Sequence, residues 1–114
     1  MQKAMPATDE DQLVAQAQAG DQAALADLLQ SHQNRLYNIV LRMVHHREDA
    51  AELTQDAMLK IVQHIGDFER GSAIGTWMVR IAMNLSISHL RKQKLRRAVS
   101  LDVNGSGAFG NAAA

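Results

Sequence analysis

Apolar residues recur along most of this chain at spacings of three and four, the period of an amphipathic helix. Asp9–Ala19 predicts a first helix, with carboxylates at its start, where the macrodipole favours them, and Gly20 at its end. Asp21 is a good N-cap for a second, longer helix reaching about His45. There Leu25, Leu28, Leu29, Leu36, Ile39, Val40, Met43 and Val44 make one wide apolar stripe. A third helix is expected from Arg47–Glu48 to about Ile65. Leu53, Ala57, Ile61, Val62 and Ile65 line one face, with Glu52, Gln55, Asp56, Lys60 and Gln63 largely turned away. Gly66 ends it, and 67–76 reads as a loop of small residues around Gly71 and Gly75. A fourth helix follows from Ile74 or Gly75 to Arg97, its apolar side marked by Trp77, Met78, Ile81, Ala82, Leu85 and Leu90. The expected fold is all-α, a compact bundle of about four helices over residues 9–98. Residues 1–8 are expected to be disordered, and 99–114, with Asn104-Gly105-Ser106-Gly107 and a terminal alanine run, to be a flexible linker or tail.

Composition agrees with this pattern and narrows the function. The 114 residues amount to one domain; one proline and 4% aromatics favour helix over sheet. There is no cysteine, which excludes disulfides and Cys-based zinc sites and is compatible with a cytoplasmic protein. No apolar run approaches the roughly 20 residues that span a bilayer, and the polar, acidic start is no secretory signal, so no membrane insertion is expected. The net charge of zero conceals an asymmetry. Met1–Glu69 holds 11 acidic residues against 5 Lys and Arg, whereas Arg80–Arg97 holds six basic residues and no acid. Such a division points to a polyanion at one end, although cations at a helix C-terminus also suit the macrodipole.

Signals for enzymatic chemistry are absent. There is no P-loop, dinucleotide glycine fingerprint or Gly-x-Ser-x-Gly elbow. The five histidines, His32, His45, His46, His64 and His89, contain no His-x-x-x-His pair and no Glu-x-x-His motif. No metal site, no cofactor and no catalytic residue are assigned. Two segments carry more information. In Asp49–Ile61, Glu52, Gln55 and Asp56 stand beside Met58 and Leu59, a mixture that suits either plain solvation or a protein-binding patch. In Phe68–Arg97, a small-residue loop leads into a helix that begins with Thr76-Trp77 and ends in Arg91, Lys92, Lys94, Arg96 and Arg97. The cations suit phosphates, and a polar loop with an aromatic residue suits unstacked bases. From the residues alone, Trp77 reads first as a core anchor for the fourth helix, and Asn84 as a buried polar residue bonded to a neighbouring loop.

The run Asp49-Ala50-Ala51-Glu52-Leu53-Thr54-Gln55-Asp56 resembles the signature of region 2 of bacterial sigma factors. So does Phe68 followed by Thr76-Trp77-Met78-Val79-Arg80-Ile81-Ala82-Met83-Asn84 and then Arg91-Lys92. Upstream, Ala19-Gly20-Asp21, Ala24-Leu25, Leu28 and Tyr37 match the way sigma factors of the extracytoplasmic function (ECF) group begin. The resemblance runs from Asp11 to Arg97 and rests on the order and spacing of the pieces.

The resemblance implies two jobs. Glu52, Gln55, Asp56, Met58 and Val62 would dock on the clamp-helix coiled coil of the largest subunit of RNA polymerase core. Phe68, Ser72, Ala73, Ile74, Thr76, Trp77, Arg80 and Asn84, with the cations Arg91, Lys92, Lys94, Arg96 and Arg97, would bind the non-template strand of the promoter minus-ten element. A base flipped from the stack would be captured there, binding that drives strand opening without covalent chemistry. Ala51-Glu52 stands where the family often has Glu-Asp, which removes one charge and lengthens the next side chain. Trp77-Met78 stands where primary sigma factors carry two tryptophans, which implies weaker melting and a stricter need for a good promoter. Nothing after Val99 could form the helix-turn-helix domain that reads the minus-thirty-five element, so weak DNA binding by this chain is expected. Two alternatives are a helical module engaged chiefly by an anti-sigma regulator and, more remotely, a helical metal-binding or enzymatic domain.

Overall fold

A computed structural model describes residues 6–105, which form four α-helices and one short 3-10 turn. Helix α1 spans Pro6–Gln18, α2 Gln22–Val44, α3 Arg47–His64 and α4 Ile74–Gly105, with the 3-10 turn at Ile65–Asp67 between α3 and the loop 68–73. The all-α bundle expected from the sequence is the fold observed. Two ends differ. Helix α1 begins at Pro6 rather than Asp9, because proline, with φ preset and no N–H to satisfy, suits a first helical turn. Helix α4 continues past Arg97 to Gly105, through the start of the segment read as linker. In that extension Val99 and Leu101 are 51% and 68% exposed, as is Leu95 just before it at 65%. The expectations for residues 1–5 and 106–114 lie outside the described residues.

Helix boundaries follow from local chemistry. The Asp21 side chain accepts from the Ala24 N–H at 3.1 Å, satisfying one of the orphan donors of α2. Gly20, at φ +103°, makes the turn from α1 that a side chain would resist. Helix α2 closes on His45 in the left-handed region, with its N–H bonded to the Leu41 carbonyl. His46 then caps α3 by accepting from the Asp49 N–H at 3.3 Å.

The core lies along one line of α2. Ala24, Leu28, Leu36 and Val40 are buried at multiples of four. His32 occupies the gap in that row; its Nε2 lies 2.8 Å from a Glu10 carboxylate oxygen on α1. Helices α3 and α4 pack against one another, and their small residues Ala50, Ala57 and Ala82 are all fully buried. Among the described residues, the two buried polar side chains, Thr54 and Ser86, satisfy themselves by donating to the carbonyls of Ala50 and Ala82, four residues back in their own helices. No helix among the described residues is long and apolar enough to cross a membrane.

Candidate nucleic-acid interface

The loop between the 3-10 turn and α4 is pinned at both ends. At its entry, the side-chain amide of Gln18 donates to the carbonyls of Ile65 at 2.9 Å and Phe68 at 2.7 Å. At its exit, Gly75 is buried beneath α2, where an added Cβ would lie 3.2 Å from both the His32 ring and the Arg35 guanidinium. Phe68 is buried, and its ring meets that of Trp77 at a centroid distance of 5.3 Å and an interplanar angle of 49°. This tilted contact fixes the loop base against the first turn of α4.

Between these anchors lies a cavity of about 370 Å³, lined by Asp67, Phe68, Glu69, Ser72, Ala73, Thr76, Trp77 and Arg80. Its lining includes two aromatic rings, Phe68 and Trp77, and the Arg80 guanidinium. Those features can receive a flat, unstacked ring and hold the phosphate attached to it. Of the sequence candidates, Phe68, Ser72, Ala73, Thr76, Trp77 and Arg80 converge here. Ile74 does not line the cavity; it is 3% exposed and seats α4 in the core. Trp77 is half-buried, so it is both a helix anchor and a cavity wall. Asn84 is exposed, not buried against a loop.

Helical periodicity sorts the remaining cations. Steps of three, four and seven place Thr76, Arg80, Asn84, Arg91 and Lys94 on one face of α4, in line with the cavity mouth and running about 27 Å along the axis. Lys92 and Arg96 fall on the side that, nearer the bundle, carries the buried Met78 and Ala82. Arg97 lies on the flank between. All five cations from Arg91 to Arg97 are exposed.

On α3, Glu52, Gln55 and Asp56 are exposed, together with Leu59 at 60% and Val62 at 41%. Met58 is half-buried beside them. Gln55 and Met58 also border a groove of about 170 Å³ shared with Gln33, Asn34 and Tyr37 of α2.

Residues 28–96 match the family model for Sigma-70 region 2. The chain belongs to that family. Among relatives of the region 2 domain, the RNA polymerase sigma-H factor of Pseudomonas aeruginosa is 35% identical over 81 residues, which cover 71% of this chain and 42% of that protein. The ECF sigma factor SigW of Bacillus subtilis is 30% identical over 93 residues, covering 82% and 50%. The ECF sigma-E factor of Escherichia coli is 35% identical over 92 residues, covering 81% and 47%. The chain thus spans half or less of the length of these relatives. A solved NMR structure, an engineered region 2 of sigmaE in complex with GTAAAA, superposes with a TM-score of 0.73 at 28% identity, covering 84% of this chain and 97% of that one. These relatives support the reading of this chain as region 2 of an ECF-group sigma factor.

Two sets of contacts across helices escaped the sequence reading. Gln18 lies 47 and 50 positions from its partners, and no local pattern marks it. Asp49 opens the segment that carries the family resemblance. Its carboxylate lies 3.3 Å from His89 on α4 and 3.6 Å from His46, so its visible work is to tie α3 to α4.

Proposed function

We propose that this region 2 domain captures single-stranded bases of the promoter minus-ten element, on the non-template strand, and so opens DNA for transcription initiation. The observation that carries the reading is the cavity at the start of α4, lined by the paired rings of Phe68 and Trp77 and by Arg80. The solved relative in complex with GTAAAA supports it. Captured bases offset the few kcal/mol of unstacking that each flipped base costs. The protein's contribution is differential binding to the open strand, with no bond made or broken. The cations in line with Arg80 hold the backbone as it leaves the cavity.

The second surface, formed by Glu52, Gln55, Asp56, Met58, Leu59 and Val62, is the docking face for RNA polymerase core, at the clamp helices of its largest subunit. Exposed apolar side chains beside carboxylates support that role. An anti-sigma regulator is a further partner of the protein, which works in the cytoplasm with the polymerase. Residues 9–98 carry the region 2 function.

Trp77 is the single tryptophan, so its fluorescence tests the reading directly. A minus-ten single strand quenches Trp77 emission saturably, and a duplex of the same sequence does so only at far higher concentration. Equal quenching by strand and duplex contradicts the proposal.

A further inference from the structure

We infer that Gln18, at the end of α1, is a positioning residue for base capture: it sets the wall of the cavity from outside the site. The inference rests on the reading of that cavity as a single-strand site.

The geometry is specific. The Gln18 amide nitrogen has two hydrogens and gives one to each end of the 3-10 turn, to Ile65 at 2.9 Å and to Phe68 at 2.7 Å. Two carbonyl acceptors leave no choice of amide orientation. The Ile65 carbonyl also accepts from the Phe68 N–H at 3.2 Å, so the turn is closed from within and clamped from without. The clamp is itself rigid. Gln18 is the last residue of α1, and the chain behind it is held by bonds from Gly20 to the Ala17 carbonyl and from Asp21 to the Gln16 carbonyl. Asp21 in turn caps α2.

Phe68 is the point where this clamp reaches the site. Its carbonyl is held by Gln18, while its ring supports Trp77 and lines the cavity with Asp67 and Glu69. Loss of the clamp frees the peptide between the 3-10 turn and the loop. Ordering that peptide then becomes part of the cost of binding a strand, the cost that preorganisation removes. A helix that touches no nucleic acid thereby sets affinity through one side chain.

The test compares Gln18→Leu, which removes both donors, with Gln18→Lys, whose ammonium still donates to both carbonyls, and Gln18→Glu, which turns acceptors towards acceptors. The 114-residue chain is used, with a labelled DNA single strand carrying GTAAAA and its single-base variants as probes. In the free protein, Gln18→Leu moves Trp77 emission to longer wavelength and increases its quenching by acrylamide, while helix content is retained. With the best-bound strand, Gln18→Leu weakens affinity about fivefold, in keeping with the loss of hydrogen bonds to a loop. Gln18→Glu weakens it at least as much, and Gln18→Lys stays within about twofold of the parent, the residual cost of a longer, more mobile donor. Unchanged affinity and unchanged Trp77 emission in Gln18→Leu overturn the inference. Should Gln18→Leu unfold, Gln18→Lys and Gln18→Glu decide: equal affinities overturn it. If the parent chain binds no strand, the base-capture reading fails, and the Trp77 measurement alone still decides whether Gln18 sets the cavity wall.

Discussion

The rings of Phe68 and Trp77 meet at 5.3 Å and 49°, joining the loop to the first turn of α4. Phe68 belongs to the core and Trp77 to the core's edge, so the two substitutions should separate stability from binding. Phe68→Ala is expected to cost about 3 kcal/mol of folding stability, the scale for deleting a buried aromatic ring, measured by urea denaturation. Trp77→Ala is expected to lose less stability than Phe68→Ala but to weaken single-strand binding by about 1–3 kcal/mol, the worth of one stacked base.

The cations of α4 divide by face. Arg91→Gln with Lys94→Gln, in line with Arg80, is expected to flatten the salt dependence of strand binding by about 1.4 in log–log slope, two phosphate contacts at ~0.7 each. Lys92→Gln with Arg96→Gln, on the other side, is expected to change the slope far less. Anisotropy titrations across a series of salt concentrations distinguish the pairs, and equal effects contradict the assignment of faces.

The α3 surface makes a separate prediction. Glu52→Arg is expected to abolish pull-down of RNA polymerase core, and Gln55→Ala to reduce it, with the helical circular dichroism spectrum and single-strand binding retained. Retained pull-down by both variants removes this face from the docking account.

Asp49 joins α3 to α4. Asp49→Ala loses the contacts to His89 and His46 and a carboxylate in the first turn of α3, where the macrodipole favours it. A loss of about 1 kcal/mol is expected, read from thermal melts, with core pull-down unchanged.

The fold was legible because its helices announce themselves locally. Asp21, the row of leucines in α2 and the glycine-rich break before α4 act within a few residues of where they stand. The site was legible in part for the same reason: Thr76, Trp77 and Arg80 share one helix, and periodicity brings them together. Contacts across helices were not legible. Gln18 reaches the loop, His32 fills a row of apolar positions by pairing with Glu10, and Tyr37 borders the α3 groove only once the bundle is assembled. Burial also had to be seen, since Ile74 and Ser72 stand in the same short loop-to-helix run and only Ser72 faces the cavity. The end of α4 was misplaced because Asn104 and Gly105 weaken a helix without dictating where it stops.

The most direct test of the account is affinity for minus-ten non-template single strands in which one base is changed at a time, against a scrambled strand at fixed salt. The account predicts that one or two positions dominate, each mismatch there costing about 1–3 kcal/mol, with the preference lost in Trp77→Ala. Uniform affinity across the panel and the scrambled strand would contradict base capture by this domain.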